Sequence, residues 1–397
     1  MRRRTFPWLI LLILAAAALA LTGISALRGD LIFRPEQWTT QEPTLPPVTQ
    51  PAQLSRAGQL RYHYEKLNPE ERMAYDNILE RLPGFPESIK LEDLSAEGLD
   101  HVFSALVLDQ PLLFQISTTN YTKLTQGGMA TAFMPEYRLS REEYAARCEA
   151  LAGAVEAFTV PADGSEFDRE LILHDRLVRQ CAYAENFTQA EKSTAYGALV
   201  EGSASCEGYA RAIQLLLDLQ GIDCCIVTGD ATNAAGESVG HAWNQVRIDG
   251  EWYHLDATWN DPVTDDGSHV TSHAYFNLTD GEIGLTHEIK AEYNPCTATG
   301  ANYFVRKGLE FGALSRAAED ALAKAVREGM AAGDNAAELR FTDGDAMKAG
   351  LRYLFDKQNI YRVLNNAALG GAPIRTDTLY HADLMQLQVV RILPVRK

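Results

Sequence analysis

The stretch from Ala204 to Asp261 constrains this chain more tightly than any other. It holds three short pieces: Ser205-Cys206-Glu207-Gly208-Tyr209-Ala210, Gly240-His241-Ala242-Trp243-Asn244 and Trp252-Tyr253-His254-Leu255-Asp256. After Cys206, apolar residues recur at Tyr209, Ala210, Ile213, Leu216 and Leu217, the period of a helix with one buried face. Gly221 is a natural stop. Cys206 therefore belongs at a helix N-terminus. Next, Cys224 to Gly229 reads as a strand, and Asp249-Gly250 between two strand-like runs reads as a hairpin. A two-residue loop makes Ile248 face Glu251 and His241 face Thr258. Asp256 then lies diagonal to His241 on one sheet face, at the ~7–8 Å that side chains can bridge.

These pieces bring together a thiol, an imidazole and a carboxylate. A cysteine nucleophile needs that set: a sulfur that attacks, a base that ionises it and a group that orients the base. Unpaired amides and the helix dipole at a helix start favour a thiolate, and can lower a thiol pKa from about 8.5 into the range of roughly 3.5–7.5. The Cys206 amide is a candidate oxyanion donor for the same reason. Alone, a cysteine at a helix start is more often buried and inert. His241 and Asp256 in register reverse that expectation.

The three pieces resemble the transglutaminase-like superfamily, with its papain-type arrangement of Cys, His and Asp. The motifs are Cys206-Glu207-Gly208-Tyr209-Ala210, His241-Ala242-Trp243-Asn244 and the run from Trp252 to Pro262. The likeness extends to His174-Asp175, Leu177, Tyr183 and Tyr196-Gly197-Ala198-Leu199 upstream, and to Tyr275-Phe276-Asn277-Leu278 and His287 downstream. Ser205 departs from the small β-branched residue that usually precedes the cysteine. The resemblance implies an α+β fold, a nucleophile helix packed on an antiparallel sheet, with Cys206, His241 and Asp256 as catalytic residues. Tyr183, Tyr196, Trp243 and Trp259 become candidates for substrate binding or the second oxyanion contact, although a core role for each tyrosine is the plainer reading. The implied activity is that of a cysteine peptidase, amidase or cross-linking acyltransferase working through a thioester on a protein or peptide. The alternative is a non-catalytic peptide- or polysaccharide-binding scaffold of the same fold.

The rest of the chain is read around this core. The net charge of −17 leaves no basic face for nucleic acid. Met1-Arg2-Arg3-Arg4 precedes an uncharged run of 22 residues, Phe6 to Leu27, long enough to span a bilayer. Residues 1–28 are thus expected to be a transmembrane signal anchor with the catalytic part outside the cytoplasm. A cleaved signal peptide ending near Ser25-Ala26 is the alternative. Extracytoplasmic placement implies cell-wall peptides or surface proteins as substrates. Residues 29–55, with five prolines between Pro35 and Pro51, read as a spacer. Residues 56–165 read as a helix-rich N-terminal region, with helices at 98–108 and 138–159 and a strand at 112–116. The catalytic core is placed at 166–311 and opens with a helix over 167–181. A small α/β C-terminal appendage follows at 312–397, with strands at 338–341 and 384–393.

Of the six cysteines, a catalytic Cys206 leaves five, an odd number. Burial suits most of them, and a Cys181–Cys225 disulfide stays open. No Cys-x-x-Cys pair is present, and neither a metal nor a cofactor is expected. His269 and His273 read as solvated loop residues. His254 is given a packing or surface role.

Overall fold

The computed structural model describes residues 46–396, apart from 159, 162, 185–188, 234–235, 263–270, 333–335 and 368–373. Its first unit is built on α1 (Pro69–Arg81), β1 (Ile89–Ser95), α2 (Ala96–Asp109), β2 (Ile116–Gln126) and β3 (Met129–Tyr137). Asn68 and Glu71 close a capping box that starts α1, with Pro69 in the first turn. The strands form an antiparallel sheet in the order β1-β3-β2. Tyr75, Ile78, Leu99, Val102, Leu106 and Phe133 make its core. This sheet was not expected from the sequence. Most of β2 is threonine and other polar residues facing solvent, so no apolar alternation marks it. The strand expected at 112–116 begins only at Ile116.

The second unit holds α3 (Arg141–Glu156), α4 (Glu166–Gln180), β4 (Ala182–Tyr183), α5 (Ala195–Leu199), β5 (Ser203–Ala204) and α6 (Cys206–Gln220). β6 (Cys224–Thr232), β7 (Ser238–Ile248), β8 (Glu251–Leu255), α7 (Asp280–Ile283) and β9 (His287–Ile289) follow. The sheet order is β8-β7-β6-β9, antiparallel throughout. Ile213, Leu216 and Leu217 of α6 join Leu173 and Leu177 of α4 and Val246 and Leu255 of the sheet in one core. The expected single buried face of α6 is an underestimate, because every residue from Gly208 to Asp218 is buried. The first unit covers its polar side. Arg211 donates to the Val107 carbonyl at 2.6 Å, Gln214 donates to the Leu108 carbonyl at 2.9 Å, and Asp218 accepts from the Gly58 amide at 2.7 Å.

The third unit comprises α8 (Tyr303–Lys307), β10 (Glu310–Phe311), α9 (Arg316–Ala332), β11 (Ala337–Phe341), α10 (Gly344–Leu351), α11 (Ile360–Ala367), β12 (Ile374–Leu384) and β13 (Val389–Arg396). Its sheet runs β10-β11-β13-β12. The strand expected at 384–393 spans a turn instead, with Gln388 at φ 54° between β12 and β13. Taken together, the three units are an α+β protein.

Two expectations at the N-terminus are corrected. No helix among the described residues is long and apolar enough to cross a membrane. That finding stands against the transmembrane signal anchor, the single-pass membrane location and membrane attachment through an N-terminal helix. The run from Phe6 to Leu27 itself lies outside the described residues. The described end of the spacer does not stand off the body. Leu54 is fully buried, and the Val48 amide donates to the Pro83 carbonyl at 2.9 Å.

Candidate active site

The hairpin that carries the imidazole has the expected register, Ile248 facing Glu251. Asp249 at φ 52° and Gly250 at φ 89° give the two left-handed residues that a tight hairpin turn needs. Pairing ends at Asn244 facing Leu255, so the diagonal drawn from His241 to Asp256 is corrected in one respect. Asp256 lies just beyond the strand, at the start of a turn, where its Oδ1 accepts from the Thr258 amide at 2.9 Å and the Trp259 amide at 3.1 Å. Its other oxygen, Oδ2, lies 2.7 Å from His241 Nε2.

Because Nε2 of His241 is engaged with the carboxylate, Nδ1 is the nitrogen left for the thiol. Burial lowers the pKa of His241. The charge and hydrogen bond of Asp256, together with a hydrogen bond that His241 donates to Cys206, outweigh that and raise it to about 10. Burial pushes Asp256 up, but the His241 charge and the hydrogen bonds from His241 and His287 hold it well below the usual carboxylate range. Imidazolium and carboxylate therefore stabilise each other.

Cys206 is the first residue of α6 and packs on Ala210, Ile226 and Ala242. Ser205 precedes the helix but makes no side-chain cap. Its hydroxyl lies instead 3.2 Å from the Lys192 carbonyl, which leaves the first-turn amides uncapped by that side chain. Cys206 also differs from the other cysteines, which are all free and buried, whereas Cys206 is half-buried. Burial pushes the thiols of Cys148 and Cys181 up to about 11 and about 12. The open Cys181–Cys225 pairing is thus not formed.

The remaining motif residues hold the three pieces together. Asn244 Nδ2 donates to the Ala210 carbonyl at 3.0 Å, tying β7 to the first turns of α6. Tyr209 Oη lies 2.5 Å from Asp261 Oδ2, linking the cysteine helix to the Asp256 turn. A Cβ on Gly208 would collide with the Lys192 carbonyl and lie 2.8 Å from Ala204 Cβ, so only glycine lets that segment approach the helix.

The four candidate accessory residues separate. Tyr183 is exposed beside the site, and burial of its hydroxyl end with the nearby Cys206 and Asp256 charges pushes it up. Tyr196 instead packs against Phe114 and under Arg147. Trp243 donates its Nε1–H to His254 Nδ1 at 3.0 Å and is buried, so it offers no N–H to a substrate. With Trp259 it walls the imidazole, their rings centred 6.0 and 5.8 Å from that of His241.

Sequence reasoning missed two features. The first is His287, whose Nε2 lies 3.1 Å from the same Asp256 oxygen. It is brought there by β9 and has no local signal beyond its place in the resemblance. The second concerns His273, which is not a solvated loop residue. It is buried between Asp175 at 3.0 Å and Glu338 at 3.1 Å, and burial opposed by those two carboxylates raises it to about 9. His269 lies outside the described residues. Among the described residues, three His-containing groups have donor atoms close enough for a metal: His174, Asp175 and His273; His241, Asp256 and His287; His254, Asp280 and Cys296. Within each, an imidazole nitrogen faces a carboxylate at 3.1 Å or less, so hydrogen bonding by itself accounts for the grouping.

Comparison with known proteins finds partial likenesses. A family model described as "Transglutaminase-like superfamily" matches residues 154–257. Kyphoscoliosis peptidase of Homo sapiens is 32% identical over 68 residues, which are 15% of this chain and 10% of that protein. The chain thus spans about a tenth of that relative's length. The periplasmic domain of TgpA from Pseudomonas aeruginosa is 24% identical, covering 28% of this chain and 44% of that one, with a TM-score of 0.22. A structure described as a TGase is 16% identical, covering 36% and 45%, with a TM-score of 0.26. Residues 154–257, which hold the cysteine, histidine and aspartate motifs, are thus similar to the transglutaminase-like superfamily.

Proposed function

We propose that the chain is a cysteine enzyme that opens an amide bond of a protein or peptide through a thioester. The observation that carries this is the 2.7 Å contact between His241 Nε2 and Asp256 Oδ2, with Cys206, at a helix start, hydrogen-bonded to the same imidazole. His241 Nδ1 takes the thiol proton, and the Cys206 sulfur bonds to the amide carbon. Negative charge collects on the carbonyl oxygen, facing the Cys206 amide, with the Tyr183 hydroxyl as candidate second donor. The C–N bond then breaks, and the leaving amine departs with the His241 proton. A water or an amine, deprotonated by His241, attacks the thioester, and the C–S bond breaks to restore Cys206. Water makes the protein a peptidase or amidase, and an amine makes it an acyltransferase.

The test is mass spectrometry of a peptide library incubated with the protein, with and without a primary amine, alongside Cys206→Ala and His241→Ala. Shortened or amine-bearing peptides made only by the wild type are expected. Unchanged peptides, or identical products from Cys206→Ala, overturn the reading and favour a binding scaffold.

A further inference from the structure

We propose that His287 is a positioning residue of this site, a second imidazole whose Nε2–H locks the Asp256 carboxylate in the orientation that meets His241. The inference rests on the catalytic reading above. Asp256 is fully buried and has no water-facing edge. Its Oδ1 is fixed by two backbone amides, and Oδ2 is shared by two rings, His241 at 2.7 Å and His287 at 3.1 Å. A carboxylate accepts only, so His287 Nε2 carries the hydrogen it donates there. Nδ1 lies 2.8 Å from the Thr286 hydroxyl, which holds the other edge of the ring.

The fold maintains this contact at some cost. β9, which brings His287, pairs with β6 at Gly229 facing Ile289. A Cβ on Gly229 would overlap the Glu288 carbonyl and lie 2.9 Å from Trp243 Cη2, so β9 can approach only past a glycine. Trp243, Trp259 and Tyr275 then close around the His287 ring at 4.9, 4.6 and 5.8 Å. A ring placed only for packing would need neither a buried acceptor nor a hydroxyl partner. Among the described residues, the titratable groups facing Asp256 are His241 on β7, His287 on β9, Tyr183 on β4 and Tyr275, with Cys206 on α6 hydrogen-bonded to His241. His254 on β8 faces His287. Hydrogen-bond donation to a carboxylate favours its ionised form, so removing His287 brings protonation of Asp256 to higher pH.

The experiment compares full-length wild type, His287→Gln, His287→Phe and Cys206→Ala from about pH 4 to 10. Two profiles are read: kcat/KM on the best peptide of the library, and the rate of Cys206 alkylation by iodoacetamide, which needs no turnover. For His287→Phe we expect a fall in kcat/KM of roughly 10–100-fold, the usual effect of losing such an orienting partner. The acid limbs of both profiles should move to higher pH. His287→Gln keeps an N–H donor near the Nε2 position and should recover most of the loss. A His287→Phe protein with acid limbs at the wild-type pH, its losses simply following its melting temperature, overturns the proposal. So does a His287→Gln protein as impaired as His287→Phe. A shifted alkylation limb in a protein without peptide turnover supports the positioning role while removing the enzymatic reading. An unshifted limb in a protein whose turnover is lost in Cys206→Ala does the reverse.

Discussion

His241 holds its proton because of what touches it, and that sets the alkaline side of the proposed activity. Its pKa is raised to about 10, so the imidazolium that would protonate the leaving amine in the proposed reaction should persist until pH approaches that value. In Asp256→Asn the charge is gone, and the alkaline limb of kcat/KM should fall towards the ordinary histidine value of about 6.5. The rate itself should drop by up to roughly 10⁴-fold, which steady-state assays across pH would show. Glu170 makes a second prediction. Burial pushes it up to about 8, and only its Oε2 has a partner, Asn277 Nδ2 at 2.8 Å. Its Oε1 is buried without one, which leaves a charged carboxylate there poorly solvated. A raised folded pKa means stability that is full below the unfolded value of 4.5 and is lost as pH rises through about 8. Glu170→Gln mimics the protonated acid, so its melting temperature should match wild type at acidic pH and decline less towards pH 8.

Elements reach the site by close backbone approach. β9 can pair with β6 only because Gly229 has no side chain. Gly229→Ala should therefore push β9 and His287 outward, costing about 1–3 kcal/mol as overpacking does. Activity should fall by more than the melting temperature implies, because the displaced strand carries a partner of Asp256. A variant with full activity and a lowered melting point would contradict this. α6 illustrates what can and cannot be read at this scale. Its start at Cys206 and stop at Gly221 were legible from period and glycine. Its burial on every side was not, since Arg211, Gln214 and Asp218 mimic a solvent face until α2 and the Gly58 segment cover them.

Across the whole molecule, the C-terminal unit is joined to the site rather than appended to it. Arg391 of β13 bonds Glu338 of β11 at 3.0 Å, Glu338 bonds His273, and His273 bonds Asp175. His174, next to Asp175, lies 3.1 Å from Asn260, in the turn that begins at Asp256. Apolar packing crosses the same boundary, with Leu387 and Val389 against Tyr275, Leu278 and Phe304. A chain ending at 312 should thus fail to accumulate as a folded protein. In the full chain, Glu338→Ala strips buried Arg391 of its carboxylate partner and leaves His273 with Asp175 alone, and should cost roughly 3–5 kcal/mol, measurable by denaturant unfolding.

Local patterns in the sequence were enough to determine the cysteine helix and the Asp-Gly hairpin with its register, because each depends on neighbours a few residues away. Long-range contacts decided the rest. The all-polar face of β2, the second imidazole on Asp256 and the charge chain from Arg391 to Asn260 join residues distant in sequence, and no periodicity encodes such pairings. Burial also lies beyond any local reading: it makes Glu170 a neutral acid, whereas His273 is an ion despite its burial, because the Asp175 and Glu338 carboxylates flank it.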